Sequence, residues 1–258
     1  MATALIGGLL AKGTDPRLIA VIEVSPAARE RLGARYPVRI ATAPDAALQR
    51  SEVIVLAVKP QDARSALAAV EVREQLVISI AAGITCATLS RWLGGHRRIV
   101  RCMPNTPALV GAGIAALYAM PEVGPQEKRK AQTILEATGE VVWVGEERML
   151  DPVTAVSASG PAYVFWFMEQ LARVGRTLGL EDEVAKKLAL HTVLGAAQLA
   201  LQSGESPATL RKNVTSKGGT TEAALRVFEE EKLAERFARA IEAASRRAAE
   251  LGRDQGKD

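Results

Sequence analysis

Short apolar runs alternate with helical stretches over residues 15–120, and that alternation leaves the chain few folds to adopt. Leu18-Ile-Ala-Val-Ile-Glu-Val24, Glu52-Val-Ile-Val-Leu-Ala-Val58 and Gln75-Leu-Val-Ile-Ser-Ile80 are rich in β-branched residues with little polar interruption. A strand apolar on both faces must be covered on both, as in a parallel sheet between two helix layers. The intervening stretches 26–35, 44–50, 61–71 and 85–93 read as helices. Together they predict a doubly wound α/β arrangement. Three further strands are expected at Arg97–Cys102, Gly113–Tyr118 and Glu140–Val144, with a helix over 125–138.

After Gly145 the pattern turns helical up to about residue 252, and no strand is predicted there. Pro161–Leu178 and Glu181–Gln202 are long and alanine-rich, split at Gly179-Leu180. Residues 221–252 form a charged amphipathic pair with a break near Glu231. A boundary is therefore expected near 145–155 without a flexible spacer, and Arg253–Asp258 should be frayed. Only 4% of residues are aromatic, so the core must be built from Ala, Val, Leu and Ile, and its helices must approach closely.

Composition excludes several functions. The 33 basic residues are nearly balanced by 29 acidic ones, and no basic block is interleaved with aromatics, so no nucleic-acid partner is expected. Two cysteines, Cys86 and Cys102, and two histidines, His96 and His191, are too few for a disulfide framework or a structural zinc site. They suit a reducing cytoplasm, and no metal is expected. The apolar start Ala2–Ala11 lacks a basic leader and is too short to span a bilayer, so no membrane association is expected.

The predicted carboxyl ends of the strands carry small residues and prolines: Glu23-Val-Ser-Pro26, Ala57-Val-Lys-Pro60, Ala81-Ala-Gly83 and Cys102-Met-Pro-Asn-Thr-Pro107. Ligands of open α/β sheets bind at that edge, and a flat cofactor needs close approach to the backbone. In the second half, Asn213-Val-Thr-Ser-Lys-Gly-Gly-Thr-Thr-Glu-Ala-Ala-Leu225 sets hydroxyls and a Gly-Gly pair before a helix. Such a loop can converge N–H groups on a small anion, or it can be an ordinary helix cap.

Ala57–Pro60, Arg101–Pro107, Ser157-Ala-Ser-Gly-Pro-Ala-Tyr163 and Pro207–Leu225, in that order, resemble the pyrroline-5-carboxylate reductases over essentially the whole chain. The resemblance implies a Rossmann-like dinucleotide-binding domain over residues 1–150 and an all-helical dimerisation and substrate domain over 151–258. The implied reaction makes L-proline from 1-pyrroline-5-carboxylate with NADPH, or NADH, in a homodimer or a ring of dimers. Carried over, N–H groups around Ser216, Gly219 and Thr220 hold the substrate carboxylate, and the Thr221 hydroxyl meets the ring nitrogen. Asn105 and Thr106 lie close to nicotinamide and substrate. Ala57, Val58, Lys59, Pro60, Ala81, Ala82 and Gly83 line the cofactor, and Ser25 takes its 2′-phosphate. The two halves of the substrate site come from different subunits.

Two departures from the family pattern stand out. The family's first strand and glycine-rich phosphate loop precede the helix with which Met1–Leu5 aligns, so the expectation is a sheet lacking its first strand, from a start-site error or a shortened chain, with weak cofactor binding and poor folding. Glu23 closes the second strand, where an acidic residue accepts a ribose hydroxyl and repels a 2′-phosphate, so Glu23 and Ser25 pull the cofactor preference in opposite directions. Two other readings compete. A hydroxyacid dehydrogenase of similar plan would need a lysine on the long helix, and Pro161–Leu178 has none. A non-catalytic dimeric homologue would keep the helices and lose the cofactor.

Overall fold

The computed structural model describes residues 1–45 and 49–254. The helix expected over 44–50 and most of the tail after Arg253 lie largely outside that range. The chain forms an α/β unit, Met1–Ser159 with Ala244–Asp258, and a helical unit, Gly160–Ala243.

The α/β unit runs α1 (Ala2–Ala11), β1 (Ala20–Ile22), α2 (Pro26–Arg35), β2 (Arg39–Ala41), β3 (Val53–Leu56) and α3 (Ala63–Ala68). It continues with β4 (Leu76–Ser79), α4 (Cys86–Trp92), β5 (Ile99–Pro104), β6 (Gly113–Ala119), α5 (Pro125–Glu136), β7 (Gly139–Trp143) and α6 (Leu150–Val153). Local chemistry sets these bounds. Ser25 caps α2 and Pro26 follows it, where a missing N–H costs nothing. Thr85 caps α4 by accepting the Thr88 N–H at 3.2 Å. β1 starts later than the apolar run suggests because Asp15 caps a 3-10 turn over Pro16–Leu18, which takes Leu18 out of the strand.

β1 and β2 pair in parallel. β3, β4 and β5 are parallel neighbours in a five-stranded sheet, β6 runs antiparallel to β5, and β7 is parallel to β6. Among the described residues no ladder joins the pair to the larger sheet. β2 was not anticipated, because three residues are too few to show a period. Leu76, Val77, Ile78, Ile99, Val100 and Leu117 are buried at the sheet's centre, and Leu5, Leu67, Leu89 and Leu135 cover them from α1, α3, α4 and α5.

α6 passes through a π turn at Thr154–Ala158, closed by the Ser159 N–H on the Thr154 carbonyl at 2.9 Å, into α7 (Gly160–Thr177). The helical unit then adds α8 (Asp182–Ser203), α9 (Pro207–Asn213), α10 (Thr220–Glu230) and α11 (Leu233–Asp254), whose residues from Ala244 on belong to the α/β unit. The break expected near Glu231 falls between α10 and α11. α7 and α8 pack closely, as the alanine content implied: a β-carbon on Gly175 would lie 3.2 Å from that of Ala185. α9 escaped the sequence reading, although Ser206-Pro207 is a helix-start signal.

The docking of α1 gives a test. Alanine in place of a helical glycine ordinarily gains about 1 kcal/mol. At Gly8, however, a β-carbon would meet the Ala137 carbonyl oxygen at 1.9 Å. Gly8→Ala should therefore lower stability by about 1–3 kcal/mol in urea unfolding, the usual cost of overpacking. A stabilised variant would show that α1 does not dock there.

Candidate active site

Because β3, β4 and β5 are parallel, their carboxyl ends share one edge of the sheet. That edge carries Ala57–Pro60, Ala81–Gly83 and Asn105–Thr106. Val58 and Lys59 are exposed, with Lys59 leading into a 3-10 turn that starts at Pro60. Ala81 is buried and its N–H donates to the Ser79 hydroxyl at 3.3 Å. Asn105 is buried, and its Oδ1 accepts the Ile114 N–H at 3.0 Å, which ties the end of β5 to the start of β6 and leaves its amide NH2 as the group it can offer. Thr106 is exposed at the start of the next 3-10 turn.

At the end of β1 the Glu23 carboxylate turns back to accept the Ser25 N–H at 2.8 Å. Arg29, one helical turn past Ser25, donates from Nη1 to the carbonyls of Glu23 at 3.0 Å and Val24 at 2.8 Å. Sequence reading missed Arg29. Its signal was the four-residue spacing from Ser25, which places both on one helix face. The hydroxyl of Ser25 at the N-cap of α2 and the guanidinium of Arg29 within α2 suit a phosphorylated ribose, while the nearby Glu23 carboxylate is engaged by backbone. The small side chains at the other strand ends leave the close backbone approach a nicotinamide dinucleotide requires. These groups fit the ribose phosphate and the nicotinamide of such a cofactor, and none of them is placed as a donor to its pyrophosphate.

In the helical unit, Ser216–Thr221 forms a turn into α10. Gly218 has φ of +73°, a left-handed conformation costly for other residues, and its N–H donates to Glu222 Oε2 at 2.7 Å. Gly219 is required for space: a β-carbon there would come within 2.5 Å of the Ser216 hydroxyl. Its N–H is already given to the Ser216 carbonyl at 3.0 Å. As N-cap, Gly219 brings no side-chain acceptor, so the first-turn N–H groups, starting with Thr220 and Thr221, lack an intrahelical partner. The Gly219 N–H is thus spent within the turn, and the N–H groups left to offer are those of Thr220 and Thr221. The structure gathers the strand-end residues within one unit and Ser216–Thr221 within the other.

Comparison with known proteins finds matches over both units. The family described as pyrroline-5-carboxylate reductase dimerisation matches residues 147–251, and that described as NADP oxidoreductase coenzyme F420-dependent matches residues 1–83. The pyrroline-5-carboxylate reductase of Pseudomonas aeruginosa is 43% identical over 260 residues, covering 100% of this chain and 95% of its own. The chain belongs to the pyrroline-5-carboxylate reductase family. A solved reductase of this family from Coxiella burnetii superposes with a TM-score of 0.92 at 40% identity, covering 97% of this chain and 94% of that one. The pyrroline carboxylate reductase of Plasmodium falciparum, solved with NADP bound, gives 0.84 at 28% identity, with 97% and 94% covered.

Neither cysteine belongs to the reactive machinery of this reductase family member. Burial pushes both thiols up, with the Glu147 carboxylate adding to the effect at Cys86. Only thiolates react readily. Iodoacetamide at mildly alkaline pH should leave native Cys86 and Cys102 unmodified and label both after unfolding in guanidinium. Stoichiometric labelling of the native protein would contradict their burial.

Proposed function

We propose that the chain reduces 1-pyrroline-5-carboxylate to L-proline, with the strand-end loops of the α/β unit holding NADPH and the Ser216–Thr221 turn holding the substrate. The observation that carries the substrate half is the glycine-capped start of α10. Its first-turn N–H groups and the Ser216 hydroxyl offer neutral donors and the positive end of a helix dipole to a carboxylate. The Thr221 hydroxyl, one residue inside the helix, donates to the ring nitrogen. An imine carbon accepts hydride once its nitrogen is hydrogen-bonded or protonated, because the C=N electron pair then has a place to go. No protein nucleophile is needed, and the residues act by positioning and electrostatics. The nicotinamide, when bound, supplies the hydride.

Ala57–Pro60 and Ala81–Gly83 line the cofactor, Asn105 and Thr106 lie towards nicotinamide and substrate, and Ser25 with Arg29 receives the 2′-phosphate. That pairing favours NADPH over NADH. The functional particle is a homodimer, or a ring of dimers, in which each subunit contributes a different half of the site. α7 supports this reading: Phe165 and Trp166 are 62% and 59% exposed, a large aromatic surface for a single helical unit to leave in water. Sedimentation at a single chain's mass would remove the dimer. The two free, buried cysteines support a cytoplasmic location for the enzyme; among the described residues no helix is long and apolar enough to cross a membrane.

The direct test mixes the protein with NADPH and 1-pyrroline-5-carboxylate and follows cofactor oxidation. Thr221→Ala should lose about a hundredfold or more in kcat, the scale of a positioned proton donor, while NADPH affinity stays unchanged. Wild-type protein that does not oxidise NADPH above background would exclude the reductase reading. Full turnover in the variant would exclude the role of Thr221.

A further inference from the structure

Arg101 lies on β5 four residues before Asn105 and is only 4% exposed. Its Nε finds no hydrogen-bond partner, and its charge is met by Glu147, whose Oε1 lies 3.0 Å from Arg101 Nη1. The same carboxylate oxygen accepts the Cys86 N–H at 2.7 Å. Cys86 opens α4, three residues past the Gly83 turn. Glu147 sits in the 3-10 turn before α6. One oxygen therefore joins three segments: the strand leading to Asn105 and Thr106, the helix following Ala81–Gly83, and the turn leading out of the sheet.

We infer that Glu147 is a positioning residue of the reductase, setting the spacing between the loop after β4 and the end of β5. This rests on the cofactor reading above. Both loops end on backbone that must approach a flat ring closely, and β4 and β5 are registered only up to the pair Ser79–Arg101. Beyond that pair no ladder bond holds them, and the carboxylate replaces it. Removing Glu147 leaves a buried guanidinium and an uncapped Cys86 N–H, and both segments must shift to reach water or another acceptor.

Three variants separate positioning from stability. Glu147→Gln keeps an acceptor for both donors, Glu147→Asp keeps the charge but shortens the reach, and Glu147→Ala removes both. Below the melting temperature, Glu147→Ala and Glu147→Asp should weaken NADPH binding, read by fluorescence titration, and lower kcat, each by roughly tenfold or more, as expected for an ångström-scale misplacement. Glu147→Gln gives up the charge that meets Arg101 and should lower the melting temperature, yet below it should stay near wild type in both readouts because the acceptor is kept. If Glu147→Ala does not fold, Glu147→Asp decides, since it does not strand Arg101. Wild-type binding and kcat in the altered variants, or Glu147→Gln as impaired as Glu147→Ala, would overturn the inference. If wild-type protein itself shows no imine reduction, the function reading fails, and amide hydrogen exchange decides on Glu147. Exchange over 85–89 and 101–106 should quicken in Glu147→Ala and not in Glu147→Gln, and unchanged exchange overturns the positioning role.

Discussion

The pairing of β4 with β5, buried on both faces, is the constraint on which the α/β unit depends. Every residue of Leu76–Ser79 is buried, as are Ile99–Met103 beside it. Each large aliphatic side chain removed from water there contributes roughly 1.5–3 kcal/mol. A slip of one residue would exchange the faces of the whole strand. With both faces covered by different helices, slippage brings no compensating burial. The register therefore ends both strands at a common level, and the turns beyond them form one edge.

The strand-end turns of the α/β unit and the Ser216–Thr221 turn of the helical unit are built on different physics. The strand-end edge consists of short turns anchored by buried and half-buried strands, with polar groups such as Asn105 Oδ1 committed to the scaffold. The Ser216–Thr221 turn is mostly exposed and owes its shape to two glycines with distinct duties, one for a left-handed backbone angle and one for clearance beside Ser216. Neither carries a strong nucleophile, and burial holds both thiols protonated. That sparseness suits hydride transfer to an imine, where geometry supplies most of the catalysis.

Much of this was legible before any coordinates. The near-continuous apolar runs named β3 and β4, the helical stretch read over 26–35 matches α2, and the strand pattern stops after β7 with helices following. The motifs Arg101–Pro107 and Pro207–Leu225 named the family. Shorter signals failed: β2 has three residues, and α9 has seven with no clear apolar face. The spacing from Ser25 puts Arg29 on the same helix face, but its bonds to the Glu23 and Val24 carbonyls depend on where the side chain turns, which a sequence does not show.

The sequence by itself determined the alternation of the longer strands and helices, the helical character of the second half and the family, because these follow from local periodicity and short motifs. Only the tertiary structure decided that β6 reverses against β5, that the Gly219 N–H is spent within its own turn, and that Glu147 meets Cys86 and Arg101. Those last contacts join residues 61 and 46 positions apart. Such pairings are set by how buried strands stack and by which charge must be matched in the interior, and no local pattern in the chain encodes them.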